Sequence, residues 1–302
     1  MGNTLEEKIR QILDRCLGLD SGQAVMSRLS GGITNHNYKV TLGDRSLVVR
    51  LGGTGTEHLG INRHYEGQTA KIAAKAGISA AVLYSDPHHG ILVSEFLEGQ
   101  TLSPEMARTP EIFSNLVAVI KTIHRAPSFP GSFCPFATVR RYYQDSLKRK
   151  VIFPESAEEA LVVMGTIEKA LGGHRPQVSC HNDLLSGNFI KDKTKIWVVD
   201  WEYAGMGDLF FDLGNFSINL ELSIEDCTKV IQAYFGELNA SHLARLHLMR
   251  LSSDLREAFW GYLQSAVSLL DFDFRGYGEK HLTRFFQNRS SGDFVTWIKA
   301  VK

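Results

Sequence analysis

His181-Asn182-Asp183-Leu184-Leu185-Ser186-Gly187-Asn188 is followed twelve residues later by Asp200, which ends the apolar run Ile196-Trp197-Val198-Val199. The flanks read as a short strand at 178–180, a polar loop, and a hairpin over 189–200 that turns at Asp192-Lys193-Thr194. Working outward, residues 23 to about 98 are strand-rich with a single helix, whereas helical periodicity dominates from about Thr109 onward. The fold class that follows is α+β with two lobes. A small antiparallel-sheet lobe spans residues 1–98, and a larger, mainly helical lobe spans 99–302 and contains the quoted loop.

In the small lobe, 37–42 and 46–51 read as a hairpin across Gly43-Asp44, with further strands at 81–85 and 90–96 separated by Asp86-Pro87. Between the hairpin and those strands, Tyr65, Thr69, Ile72, Ala73 and Ala76 share one helical face, with Asn62 as N-cap and Gly77 as the stop. In the large lobe Thr109-Pro110 starts a helix whose Ile112, Leu116, Val119, Ile120 and Ile123 form one stripe. Ser156 and Glu159 read as a capping box.

The chain has 302 residues, and 33 basic side chains balance 33 acidic ones, so no net field draws in nucleic acid or an anionic membrane. Its apolar runs fall far short of the ~20 residues that span a bilayer. The N-terminal segment lacks the uninterrupted apolar stretch of a secretory signal, so the expected compartment is the cytoplasm. Cysteines 16, 134, 180 and 227 show no CxxC spacing, and reduced, buried thiols are expected.

The quoted loop has the His-x-Asp-x-x-x-x-Asn spacing of a phosphoryl-transfer loop. That chemistry needs one carboxylate to orient a substrate hydroxyl and separate oxygen ligands to hold Mg²⁺ against a triphosphate. Asp183 is the candidate for the first task, Asn188 and Asp200 for the second. Read alone, Asp200 serves equally as a turn or helix cap. Arg50 ends a strand and Glu66 lies sixteen residues on, the places where a kinase-like small lobe pairs a cation with a Glu to grip phosphates. A solvated surface ion pair is the other reading of these two. The loop Ser30-Gly31-Gly32-Ile33-Thr34-Asn35 lets backbone approach a ligand closely, and Gly31, Gly32 and Asn35 are candidate phosphate-covering residues, although GxGxxG spacing is absent. His181 reads as a brace for the loop, and Cys180 as an inert neighbour.

Taken together, Leu-Ser-Gly-Gly-Ile-Thr-Asn at 29–35, His-Asn-Asp with Asn188, Val-Val-Asp-Trp-Glu-Tyr-Ala-Gly at 198–205 and Phe-Asp-Leu-Gly-Asn at 211–215 resemble the choline/ethanolamine kinase family. That family lies within the aminoglycoside phosphotransferase-like, protein-kinase-like superfamily, and the likeness spans roughly residues 25 to 288. The resemblance implies an ATP- and Mg²⁺-dependent kinase whose hinge, Glu95 to Leu97, holds the adenine by its backbone. It also implies an aromatic cage for a quaternary ammonium, with Trp260 and Tyr277 in cage positions, Tyr203 beside the metal-binding Asp, and Phe272 nearby. Leu263 stands where animal choline kinases have a second Trp, and Leu185 where they have a Gln. Without the likeness, Trp260 reads as core. The expected acceptor is a small cationic alcohol, choline first and ethanolamine second. Thiamine or an aminoglycoside is the rival acceptor, and a nucleotide-binding pseudokinase the rival class.

Overall fold

A computed structural model of the chain describes residues 4–29, 35–53, 55–173, 177–291 and 293–301. In the small lobe, helix α1 (Leu5–Gln11) runs on into a π-helical turn at Ile12–Cys16. Strands β1 (Val25–Arg28), β2 (Asn35–Leu42), β3 (Arg45–Gly52), β4 (Val82–Asp86) and β5 (Ile91–Glu95) form one antiparallel sheet in the order β1-β2-β3-β5-β4. The hairpin β2–β3 closes over Gly43 and Asp44, and Gly43 takes the positive φ of +56° that so tight a reversal requires.

Strand alternation then positions the chemistry. Leu47, Val49 and Leu51 of β3 bury one face of the sheet against Ile9, Ile12 and Leu13. Arg50 therefore projects from the opposite face, toward helix α2 (Arg63–Lys75). Asn62 caps α2 by accepting from the N–H groups of His64 and Tyr65, and Gly77, at φ +74°, ends it.

The large lobe comprises β6 (Gln100–Thr101), α3 (Pro104–Ala107), α4 (Pro110–His124), α5 (Pro135–Lys148), α6 (Ser156–Leu171), β7 (Gln177–Cys180), β8 (Phe189–Lys191), β9 (Ile196–Val198), β10 (Gly205–Asp208), α7 (Leu209–Asn219), α8 (Ile224–Phe235), α9 (Ala240–Val267), α10 (Phe274–Ser291) and α11 (Phe294–Ala300). Two short ladders, β6-β8-β9 and β10-β7, lie among these helices. Helix α9 is the central post. It is buried without interruption from Leu246 to Gln264, and it packs on α5, α7 and α10. Such close crossings need glycine: a Cβ on Gly214 would lie 2.7 Å from the Met249 carbonyl carbon, and one on Gly261 would lie 2.8 Å from the Gly278 nitrogen.

Two expectations are corrected. Ser156 is the first residue of α6 rather than its cap, and no side-chain cap bond forms at Glu155, because the Pro154 carbonyl has already started the helix by accepting from Ala157. The four thiols are free, but only Cys180 and Cys227 are buried; Cys134 is half-buried and Cys16 exposed, since Ile9, Ile12 and Leu13 carry the inward face of that segment. No helix among the described residues is long and apolar enough to cross a membrane.

Candidate active site

The loop between β7 and β8 is shaped from outside by helix α7. Asp212 accepts from the backbone N–H groups of His181 (2.8 Å) and Asn182 (2.6 Å), and Asn215, one turn on, accepts from Leu184 (2.5 Å). Both side chains are fully buried, so these bonds are made without competition from water. Asn215 is fixed by donating to Ser253 on α9 at 2.9 Å, and the His124 ring meets Asp212 at 3.1 Å. Gly214 permits the approach of α7 to α9 on which this clamp depends. His181 Nε2 donates to the Val199 carbonyl at 3.0 Å, which braces the loop on the strand leading to Asp200. Cys180 is buried, and burial pushes its thiol well above the usual range, which leaves no nucleophile there.

Asp183 and Asn188 are brought together: Asn188 Nδ2 donates to the Asp183 carbonyl at 2.9 Å, and the Asn188 carbonyl accepts from Val199 at 3.0 Å. Burial raises the Asp183 carboxyl to about 6; Arg256 opposes the rise, while Glu257 and Glu202 add to it. Asp200 follows β9 in a left-handed conformation, φ +68°, unusual for a residue with a side chain. Its Oδ1 is buried with no hydrogen-bond partner. Burial, then the Glu202 carboxylate, raises Asp200 to about 7.

Arg50 and Glu66 form a buried bidentate pair, one arm measuring 2.6 Å. This excludes the solvated surface pair. Burial, then the neighbouring Arg63, lowers the Arg50 guanidinium to about 10. The pair belongs to a network that reaches the large lobe: Arg63 donates to Glu66 and to Glu202 at 3.0 Å each, and to Asn35 at 2.7 Å, while Asn35 donates to Glu202 at 2.9 Å. Oxygens of Glu66, Asp200 and Glu202 lie within 4.8 Å of one another, a set of hard donors of the type that suits Mg²⁺.

Arg256 links Asp183 to an aromatic cluster. Trp260 Nε1 donates to the Tyr203 hydroxyl at 3.0 Å, and the Trp260 ring meets Tyr277 edge-on at 5.5 Å. Phe272 lies 6.1 Å from Tyr277 and is exposed, whereas Trp260 and Tyr203 are buried. The contact of Gly261 with Gly278 sets Trp260 and Tyr277, their neighbours in sequence, at this spacing. Arg256 lies 4.3 Å over the Tyr203 ring, donates to Asp183 Oδ1 at 3.0 Å and also to Glu257. Tyr277 donates to Glu257 at 2.7 Å. Burial opposes ionisation of Glu257, yet Arg256 and then His281 hold it below the usual carboxylate range.

Glu95 ends β5 opposite Leu47, and Leu97 follows Phe96, whose N–H bonds the Ser46 carbonyl where the chain leaves the sheet. Gly31 and Gly32 lie outside the described residues. No motif in the sequence marks Arg63, Arg256 or Glu257 for a role. Glu202 stood inside the quoted 198–205 motif, two residues past Asp200, and was the signal available.

Residues 25–248 match the phosphotransferase enzyme family, APH. A probable ethanolamine kinase of Arabidopsis thaliana is 28% identical over 295 residues, covering 86% of this chain and 78% of that protein. Among solved structures, a choline/ethanolamine kinase family protein from Mesorhizobium loti superposes with a TM-score of 0.85 at 30% identity over 99% of each chain. The choline kinase LicA of Streptococcus pneumoniae shares the fold, with a TM-score of 0.82 at 24% identity over 95% of this chain and 99% of that one.

Proposed function

The chain belongs to the phosphotransferase enzyme family, and from that premise we propose that it transfers the γ-phosphoryl group of Mg-ATP to the hydroxyl of a small cationic amino alcohol. Choline is the leading acceptor and ethanolamine the second. The observation that carries this reading is the juxtaposition at Asp183: a buried carboxylate raised to about 6, joined through its own carbonyl to Asn188 and flanked by an aromatic cluster. Asp183 aligns the acceptor hydroxyl and accepts its proton as the oxygen–phosphorus bond forms and ADP departs.

Asn188 and Asp200 would hold the metal, and the buried, unpartnered Oδ1 of Asp200 together with the adjacent Glu202 fits that role. Mg²⁺, when bound, neutralises charge on the triphosphate. Arg50, oriented by Glu66, would contact the phosphates, with Gly31, Gly32 and Asn35 as further phosphate-covering residues. The Glu95 to Leu97 crossing would take the adenine. Tyr203, Trp260, Phe272 and Tyr277 would receive the ammonium group. Relatives with choline or ethanolamine in their names support this class of acceptor.

The test is ADP release with Mg-ATP against choline, ethanolamine, thiamine and aminoglycosides, with Asp183→Ala as the blank. A choline or ethanolamine signal abolished in the variant is the expected result. Release with thiamine or an aminoglycoside alone would move the acceptor, and release with none would leave a nucleotide-binding protein without turnover.

A further inference from the structure

Arg256 sits in the middle of α9 with 2% of its side chain exposed. A buried ion pair replaced by apolar side chains is often no less stable, so the packing of α9 does not by itself call for a guanidinium here. Its donors are unevenly used. Nη1 bridges Asp183 Oδ1 and Glu257, whereas Nε and Nη2 are buried with no partner. Unpaired buried donors are a cost that a purely structural side chain would have shed. The group is nonetheless held on two sides: its Cζ lies 4.3 Å over the Tyr203 ring, and Glu257 is anchored in turn by the Tyr277 hydroxyl.

We propose that Arg256 is a positioning residue for phosphoryl transfer, locking the Asp183 carboxylate through Oδ1 so that Oδ2 is presented to the acceptor hydroxyl, with Glu257 fixing Arg256 in turn. This rests on the reading of Asp183 as the group that accepts the hydroxyl proton. The terminal torsion of an aspartate is broad, and without a fixed donor on one oxygen the carboxylate swings. Reaction geometry does not tolerate that motion: a displacement of about 1 Å costs about 10²-fold in rate. The arrangement divides labour within one helix, since Arg256 orients the catalytic carboxylate while Trp260, one turn on, lines the acceptor side.

The test compares wild type with Arg256→Met, Arg256→Lys and Glu257→Gln by steady-state kinetics per folded site, with ATP binding and thermal melting in parallel. Arg256→Met loses about 10²-fold in kcat with KM for ATP unchanged, and Glu257→Gln loses about tenfold in the same pattern. Arg256→Lys, which keeps one charged donor for Asp183, recovers part of the loss; a side chain needed only for packing would alter melting but not kcat per folded site. Wild-type kcat in Arg256→Met overturns the inference, and if that variant does not fold, wild-type kcat in Glu257→Gln does so. A wild-type protein that matches Asp183→Ala on every alcohol overturns the functional reading, and this inference with it.

Discussion

Arg63 of the small lobe and Glu202 of the large lobe meet at 3.0 Å, and the same guanidinium nitrogen also donates to Glu66. One buried cation thus joins the Arg50–Glu66 pair to the carboxylate beside Asp200. Among the described residues, Arg63→Met leaves Glu202 with only the longer ion-pair contact to Arg50 at 3.9 Å, and removal of one member of a buried pair costs up to about 3–5 kcal/mol. Urea unfolding reads this directly. In the double variant with Glu202→Gln the losses sum to less than the two single losses; strict additivity would show that the residues act independently.

Asp183→Asn keeps the shape and burial of the side chain but removes the acceptor for the hydroxyl proton. Turnover falls by about 10²–10⁴-fold, while ATP still binds, because Arg50 and Glu66 lie in the other lobe. Near-normal turnover in this variant would remove Asp183 from the mechanism.

Trp260→Ala removes a ring face from the acceptor side. A desolvated cation–π contact is worth about 2 kcal/mol, or about 30-fold in KM for the ammonium substrate. The ring is 5% exposed and bonded to Tyr203, so melting drops as well. Unchanged KM with lowered stability would give Trp260 a packing role alone.

His247 on α9 stacks on Trp297 of α11 at 4.5 Å with an interplanar angle of 16°, and burial, helped by Arg250, lowers it to about 4. The unfolded chain therefore binds more protons between about 6.5 and about 4, so stability is intact above that window and falls as pH drops through it, by about 3 kcal/mol at most. His247→Phe keeps the stacking and removes the titration, which flattens the acid limb of an unfolding profile. An unaltered limb would assign the acid loss to other groups.

The 181–188 loop and the Arg50–Glu66 pair were legible because their residues stand at short, fixed sequence spacing, from Asp183 to Asn188 within one loop and sixteen positions from Arg50 on β3 to Glu66 on α2. The lobes were legible because the hydrophobic period changes between the strands before Glu98 and the helices after Thr109. Arg256 and Glu257 were not. They lie on a helix whose burial on all sides comes from α5, α7 and α10, and a charged pair there reads from sequence as solvated surface. Arg63 likewise finds Glu202 only through docking of one lobe on the other, across 139 positions of chain. Ser156 and Glu159 matched the capping pattern, but the choice of first helical residue was made by Pro154, a backbone event that the pattern does not contain.

The crossing of Gly261 and Gly278 would make the proposed acceptor side a gauge of fixed aperture. Two main chains already in contact cannot be pressed closer, and they part only by giving up the packing of α9 on α10. The distance between positions 260 and 277 is thus set by backbone, while the rings there carry the contacts to Tyr203 and Glu257. Exchanging a ring retunes what is recognised and leaves the width alone. A methyl group added at 261 or 278 would act as a shim, changing the size of molecule admitted without touching any group that recognises it. On the proposed reading, size and identity of the acceptor would be set at separate positions and free to drift apart.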